Sequence, residues 1–220
     1  ESILDGLNIS YSINSEEFNK IKEIKGPILF VANHPFGAID GLILLILMGK
    51  INPRSKLIAN SIFSHIEEMK DVILPVEIMQ KSPNKKLNFL YLKNILKELS
   101  NNNMIGMFPA GEVAAYSSWK SKQATEKPWH PHLGKIALKK KATIIPIFFE
   151  GENSLIFQYI GLIFPKIQIA LLAREILKAK KEVIFTIGEA IKFEDYDHLH
   201  SDELSLFFQN KTYALKKCSL

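Results

Sequence analysis

Residues 28–41 read ILFVANHPFGAIDG, and the apolar run LILLILM follows at 42–48. The five apolar residues Ile28 to Ala32, which follow Pro27, predict a buried strand. Pro35 and Gly37 then break the chain into a turn, after which the apolar run predicts a helix. A buried strand, a turn and an apolar helix form the repeating unit of a parallel sheet covered by helices. The stretch therefore predicts an α/β fold.

Similar apolar runs along the chain predict a mostly parallel, or mixed, sheet of about six to seven strands flanked by helices. The predicted strands are Ile28 to Ala32, Lys56 to Ala59, Val72 to Leu74, Met104 to Phe108, Thr143 to Phe149 and Val183 to Ile187. Predicted helices include Leu87 to Ser100, Gly134 to Lys141 and an amphipathic C-terminal helix over 201–217 with Ser201 as its N-cap. No composition shift marks a boundary, so we expect one domain over 1–220.

Composition excludes several classes of protein. The 220 residues carry 28 basic and 23 acidic side chains, and 47% are hydrophobic, which is typical of a globular chain and not of a disordered one. The single cysteine, Cys218, excludes a disulfide scaffold. Only Arg54 and Arg174 are arginines, which argues against nucleic-acid binding. The run at 42–48 is far shorter than the roughly 20 residues of a spanning helix, so we expect at most peripheral contact with a membrane surface.

His34 and Asp40 are the first candidates for chemistry. On a regular helix their spacing would place them about 240° apart, so they meet only if the turn at Gly37 folds back. A carboxylate beside an imidazole orients it and raises its basicity, as a general base requires. The alternative is that Asp40 only caps the helix and that His34 is a surface loop residue.

Two further clusters lie later in the chain. The block FPAGE at 108–112 places Glu112 at the carboxyl end of a strand, where α/β proteins bind ligands, although a solvated turn glutamate is the alternative. In the block WHPH at 129–132, His130 and His132 would point to opposite faces of an extended chain, which is poor geometry for a shared metal. Residues 116–131 form the longest segment without periodicity. Loops of this length often carry function. A metal-dependent hydrolase using His34, Asp40, Glu112 and His130 remains a less favoured alternative.

Taken in order, these blocks resemble the glycerolphosphate acyltransferase superfamily, and most closely its branch of ornithine-lipid O-acyltransferases and haemolysin-like proteins. The resemblance spans about 26–191 and rests on ANHPFGAIDG at 32–41, FPAGE at 108–112, PWHP at 128–131, IPIFFEGENS at 145–154 and LLAREIL at 171–177. The spacing of His34 and Asp40 is one residue longer than the standard motif, as it is in that branch.

The resemblance implies an O-acyltransferase in which His34 is the general base and Asp40 orients it. It implies substrate contacts from nine residues: Asn33, Phe36, Gly37, Phe108, Pro109, Gly111, Glu112, Trp129 and His130. No cofactor or metal is implied, and the co-substrate would be an acyl carrier protein or coenzyme A thioester. Backbone amides near Gly37 or Gly111 are the candidates for stabilising the tetrahedral oxyanion. The acceptor would be a lyso-lipid, and the enzyme would lie at the cytoplasmic face of the membrane.

Departures from the wider superfamily concern the acceptor. Phosphate-binding members carry arginines that are missing from the segment Leu74 to Glu77 and from Val113, the residue after Glu112, and Glu152 stands where the branch often has arginine. A site without these guanidinium groups binds a phosphomonoester poorly. We therefore expect a lyso-aminolipid, such as lyso-ornithine or lyso-glycine lipid. Lysophosphatidic acid is the alternative acceptor, and a non-catalytic, haemolysin-like lipid-binding protein is the alternative of another class.

The apolar residues at 42–48 and the segment Phe157 to Phe164 have two interpretations. They are expected to be mainly core, with contact to an acyl chain or to the bilayer as the alternative.

Overall fold

The computed structural model describes residues 2–76, 85–178 and 181–217. Glu77 and Cys218, which enter the sequence analysis, lie outside these ranges. The described helices are α1 (Ser2–Gly6), α2 (Ser15–Lys22), α3 (Ala38–Ile51), α4 (Lys85–Ser100), α5 (His132–Lys140), α6 (Leu155–Ile163), α7 (Pro165–Lys178) and α8 (Ser201–Tyr213), with 3-10 turns at Ser61–His65, Glu67–Met69 and Phe193–Asp195. The described strands are β1 (Ile9–Tyr11), β2 (Ile28–Ala32), β3 (Lys56–Asn60), β4 (Ile73–Val76), β5 (Met104–Met107), β6 (Thr143–Phe149), β7 (Lys181–Val183) and β8 (Phe185–Ile187).

The main sheet has six strands in the order β4-β3-β5-β2-β6-β8. Its first five strands are parallel, and β8 pairs antiparallel with β6. In the register of β2, Phe30 lies opposite Gly106 of β5 and Ile145 of β6. The predicted α/β fold with a mixed sheet is confirmed.

Strand β2 is buried on both faces, as its unbroken apolar sequence predicts. Because side chains alternate along a strand, Ile28, Phe30 and Ala32 join the core beneath α3, and Leu29 and Val31 join the core beneath α5 and α8. Helix α3 is itself largely buried, since Ile43, Leu44, Leu47 and Met48 have no exposed surface. Of the two interpretations of the run at 42–48, the structure favours core.

Three details of the prediction are wrong. Val183 to Ile187 is not one strand: β7 pairs with β1, Ile184 is half exposed, and β8 turns to pair with β6. The N-cap of α8 is His200 rather than Ser201, and its amide donates to Glu203 Oε2 at 3.3 Å. Helix α8 ends at Tyr213, so the rest of 201–217 is not helical.

None of the helices within the described ranges is both long and apolar enough to cross a membrane.

The crossing of α5 and α8 depends on a glycine. A Cβ at Gly134 would lie 2.3 Å from the backbone oxygen of Ser201 and 2.8 Å from Leu204 Cβ, so Gly134→Ala must push the helices apart. We expect it to lower the free energy of unfolding by about 3 kcal/mol, measured by urea denaturation. Gly49 in α3 has nothing within 4 Å of the same atom. Gly49→Ala should instead stabilise by about 0.5–1 kcal/mol, and equal effects of the two substitutions would contradict this view of the crossing.

Candidate active site

The loops that follow β2, β5 and β6 meet at the carboxyl edge of the sheet, where α/β folds place ligands. Asn33, the first residue after β2, joins the end of β2 to the end of β6. Its Nδ2 donates to the Phe149 carbonyl at 2.8 Å, and its Oδ1 accepts from the Phe149 amide at 2.7 Å. Asn33 is buried. The side-chain amide of Asn33 therefore stabilises the framework of the site and does not line an open surface.

His34 and Asp40 come together as predicted. The chain reverses at Gly37, whose φ of 85° favours glycine, and His34 Nδ1 lies 3.2 Å from Asp40 Oδ1. The distance suits an ion pair, but the angle lies outside hydrogen-bond geometry. Catalytic hydrogen bonds are often loose without substrate and tighten when it binds. Since Nδ1 faces the carboxylate, Nε2 is the ring nitrogen left for a substrate proton.

Asp40 also holds the turn that presents His34. It is fully buried at the third position of α3. Its Oδ2 accepts from the amides of Phe36 at 3.0 Å and Gly37 at 3.3 Å, and its Oδ1 accepts from the Gly41 amide at 2.9 Å. Helix cap and histidine partner, which the sequence left as alternatives, are therefore both roles of this one carboxylate.

The His34 ring is fixed by an aromatic neighbour. It stacks on Phe108, with ring centroids 3.9 Å apart and planes 19° from parallel, and its side chain is 17% exposed. The His34 carbonyl accepts from the Ala114 amide at 2.9 Å, which ties the segment after FPAGE to the histidine loop. Phe108 thus orients the imidazole, and its predicted contact with substrate stays a prediction.

Glu126 is a residue of the site that the sequence analysis missed. Its Oε1 accepts from the His34 amide, and its Oε2 accepts from Trp129 Nε1 at 3.1 Å and from the Tyr213 hydroxyl at 2.9 Å. Burial raises the pKa of Glu126, and the three donors oppose that rise. One carboxylate therefore joins the histidine loop, the 116–131 loop and the end of α8. A lone glutamate in a polar loop gave no pattern that could have identified it.

Three of the residues predicted to contact substrate are buried in the protein: Asn33, Trp129 and Phe36. Trp129 is 3% exposed and belongs to the core beneath α5 and α8. Phe36 is 8% exposed and belongs to the opposite core, where it lies so close to Gly151 that a Cβ there would be 2.8 Å from the ring. Like Asn33, these side chains support the site from within.

Glu112 lies at the surface beside Lys127. Its carboxylate is 48% exposed, and Lys127 Nζ lies 2.8 Å from its Oε1. The preceding FPAG residues form a tight turn in which the Gly111 amide donates to the Phe108 carbonyl at 3.0 Å, while the Pro109 carbonyl accepts from the His130 amide at 3.0 Å. The second and third sequence blocks are thus neighbours at the sheet edge.

One sequence-based expectation about this region is wrong. His130 and His132 do not point to opposite faces, because the chain turns into α5 between them and their rings lie 4.4 Å apart. The amides of Gly37 and Gly111 themselves are engaged within the fold, by Asp40 Oδ2 and by the Phe108 carbonyl, so the candidates for an oxyanion are the amides of the residues next to these glycines. Within the described ranges, no three His, Cys, Asp or Glu side chains are grouped as a metal site would require.

Helix α7 packs against the turn at Gly37. A Cβ on Gly37 would lie 2.8 Å from Leu172 and 3.1 Å from Val113, so only glycine lets these apolar side chains approach the histidine loop so closely. Glu152, in the place of an expected arginine, accepts from the Ala124 amide at 2.6 Å and from the Tyr116 hydroxyl at 3.3 Å. It shapes the 116–125 loop.

Comparison with known proteins identifies the family of the chain. A family model described as Acyltransferase matches residues 4–219. The chain belongs to this acyltransferase family. Two relatives are named lyso-glycine lipid O-acyltransferase: that of Phocaeicola vulgatus is 27% identical over 78% of this chain and 62% of the relative, and that of Bacteroides thetaiotaomicron is 23% identical over 79% and 64%. The chain thus matches slightly less than two thirds of the length of these relatives.

A solved structure shows the same fold. The 1-acyl-sn-glycerophosphate (LPA) acyltransferase PlsC from Thermotoga maritima superposes with a TM-score of 0.53 at 14% identity, covering 97% of this chain and 78% of that chain. At this identity the likeness concerns the fold alone.

We expect Glu126 to position His34. In Glu126→Gln the amide nitrogen cannot accept a hydrogen bond, so at least one donor of the cluster loses its acceptor, and kcat should fall about tenfold with little change in KM. Tyr213→Phe is the matched control, because it removes the Glu126 contact that is remote from His34, and it should stay within about threefold of wild type. Steady-state kinetics on both variants check the prediction, and equal losses would mean that Glu126 acts only through the general stability of the fold.

Proposed function

We propose that this acyltransferase moves a fatty acyl group from a thioester, acyl-ACP or acyl-CoA, to the hydroxyl of a lyso-lipid. The observation that carries the proposal is the His34–Asp40 contact at the carboxyl edge of the sheet, in a chain that belongs to an acyltransferase family. The names of the two relatives support a lyso-lipid acceptor. A non-catalytic lipid-binding protein would have no need of a histidine with a buried carboxylate partner.

In the proposed mechanism His34 is the general base. Nε2 takes the proton of the acceptor hydroxyl as its oxygen attacks the acyl carbonyl, and Asp40, facing Nδ1, stabilises the imidazolium that forms. The tetrahedral intermediate collapses with cleavage of the carbon–sulfur bond, and the imidazolium returns the proton to the leaving thiolate. No covalent acyl-enzyme is needed. Phe108 keeps the ring plane fixed during both proton transfers.

We favour a lyso-aminolipid, of the lyso-glycine or lyso-ornithine kind, as the acceptor. The amino-acid head group of such a lipid carries a carboxylate with a single charge, which one ammonium group is able to bind. A phosphomonoester dianion is better held by guanidinium forks. Of the two arginines in the chain, Arg174 lies 3.5 Å from Glu175, which engages it on α7. Lysophosphatidic acid remains the competing acceptor, and the cytoplasmic face of the membrane is the proposed location.

The proposal is tested by acyl transfer with purified protein. Labelled acyl-ACP or acyl-CoA is offered with lyso-glycine lipid, lyso-ornithine lipid or lysophosphatidic acid, and the ester product is quantified. We expect product with a lyso-aminolipid. Product with lysophosphatidic acid alone would overturn the acceptor assignment, and no product with any acceptor would overturn the activity.

A chelator separates this mechanism from the hydrolase alternative. The dyad reaction uses no metal, so we expect EDTA to leave the initial rate of acyl transfer unchanged. Loss of activity with EDTA that a divalent metal restores would contradict the mechanism and favour the metal-dependent alternative.

A further inference from the structure

Helix α6 has an unusual surface for a helix that faces solvent. None of its nine residues, LIFQYIGLI, is charged. Leu155, Ile156 and Ile163 are each about half exposed or more, as is Phe164 directly after the helix. A solvent-facing helix normally carries charged residues on its outer side. With Trp119, which packs against the helix, these side chains form what we call the α6 surface: Trp119, Leu155, Ile156, Ile163 and Phe164.

Trp119 extends this surface, and lysines beside it in the loop form a basic rim. Its ring stacks on Tyr159 of α6, with centroids 5.4 Å apart and planes 14° from parallel, yet the residue is 62% exposed. Lys120 and Lys122, its neighbours along the loop, are both exposed. Tryptophan and tyrosine favour the boundary between water and hydrocarbon, and lysine is drawn to anionic head groups.

Two elements connect the α6 surface to the histidine loop. Helix α7 packs on α6, and Leu172 of α7 lies over Gly37 in the turn between His34 and Asp40. On the other side, Ala114, whose amide donates to the His34 carbonyl, precedes the loop that bears Trp119. A lipid at the α6 surface would therefore lie beside elements that contact the histidine loop.

We propose that the α6 surface docks this acyltransferase on an anionic phospholipid leaflet, from which the lyso-lipid enters the site. The proposal rests on the proposed function for its acceptor. Charge favours a bilayer over a second copy of the chain. Two copies joined through this surface would bring Lys120 and Lys122 of both copies to one interface. Helix α6 supplies no carboxylate that could neutralise them there. Apolar side chains inside a basic rim are the features of interfacial membrane binding.

The test is flotation with vesicles of phosphatidylcholine, with or without phosphatidylglycerol. Wild type should bind, more tightly with phosphatidylglycerol and less tightly at high salt. Leu155→Ser and Trp119→Ser should each weaken the partition constant about tenfold or more. Leu206→Ser is the matched control, since Leu206 on α8 has the same 59% exposure as Leu155 and lies outside the surface. Failure of wild type to bind, or equal effects of Leu155→Ser and Leu206→Ser, would overturn the proposal.

Tryptophan fluorescence provides a second measurement. The chain has two tryptophans, of which Trp129 is buried and Trp119 exposed. Vesicles should therefore shift the emission of wild type to shorter wavelength, and Trp119→Phe should abolish the shift. A wild-type dimer that Leu155→Ser converts to monomer in analytical ultracentrifugation would instead assign the surface to a second copy and overturn the proposal.

Activity assays separate the two proposals. With acceptor dispersed in detergent micelles, Leu155→Ser should keep the wild-type rate, whereas with acceptor in vesicles it should be slower. Vesicle binding by the α6 surface without any acyl transfer would refute the proposed function and support the docking surface. Transfer in micelles together with unchanged vesicle binding by the variants would refute the docking surface alone.

Discussion

His34→Ala should lower kcat for acyl transfer by about 10³-fold, because a positioned general base contributes about 10²- to 10⁴-fold to such a reaction. The imidazole faces the buried carboxylate of Asp40 at the carboxyl edge of the sheet. Initial rates with a labelled acyl thioester and a lyso-lipid acceptor measure the loss. Since the backbone contacts of His34 do not involve its side chain, the framework of the loop should persist in the variant.

The control for His34→Ala has to separate chemistry from folding. Truncation removes the stack on Phe108, so a loss of about 1 kcal/mol in the free energy of unfolding is expected, far too small to explain a 10³-fold effect at a temperature where the protein is folded. His198→Ala removes a histidine whose side chain is 66% exposed and should retain wild-type activity. A fully active His34→Ala variant would show that the imidazole is not the base.

The part of the site that could be predicted from sequence is local. Strand β2 has the bounds that its apolar run suggests, and the turn at Gly37 brings His34 to Asp40 over six positions. Here the pattern of burial and the position of one glycine dictate the geometry, so few long-range contacts are needed. The same reasoning succeeded for the α/β architecture, because parallel strands buried on both faces carry a strong apolar signal.

What could not be predicted depends on residues far apart in the chain. Glu126 binds the His34 amide across 92 positions, and Asn33 binds Phe149 across 116. No periodicity records such contacts, so the sequence predicts neither the role of Glu126 nor the bonds between Asn33 and Phe149. Trp129 was assigned to substrate by the resemblance of its block, whereas packing beneath α5 and α8 determines its place.

Short strands were missed for a different reason. Strands β1 and β7 each have three residues, too few for an alternating pattern to stand out, and they exist because they pair with each other. The same pairing explains why the predicted strand Val183 to Ile187 divides. Val183 pairs with β1, Phe185–Ile187 pairs with β6, and the half-exposed Ile184 lies between them.

Asp40→Asn should damage both activity and stability. Asparagine keeps the size of the side chain but has one accepting oxygen, whereas both carboxylate oxygens accept amides in a fully buried position. At least one buried N–H loses its acceptor, at a cost of about 1–3 kcal/mol in the free energy of unfolding. The imidazolium also loses its counter-charge, so kcat should fall by about 10²- to 10⁴-fold. Urea denaturation and initial rates measure the two effects.

Asp195→Asn distinguishes the two roles of Asp40. Asp195 also occupies the third position of a helical turn and accepts the Lys192 amide at 2.7 Å, but it is exposed and remote from His34 along the chain. Its substitution should cost about 1 kcal/mol or less and leave the rate unchanged, because water can satisfy the freed amide. If Asp40→Asn proved less stable yet fully active, Asp40 would be a helix cap alone, and the histidine would need another group to stabilise its charge. If instead the activity falls at temperatures where the variant remains folded, the carboxylate is shown to act on the imidazole as well as on the turn.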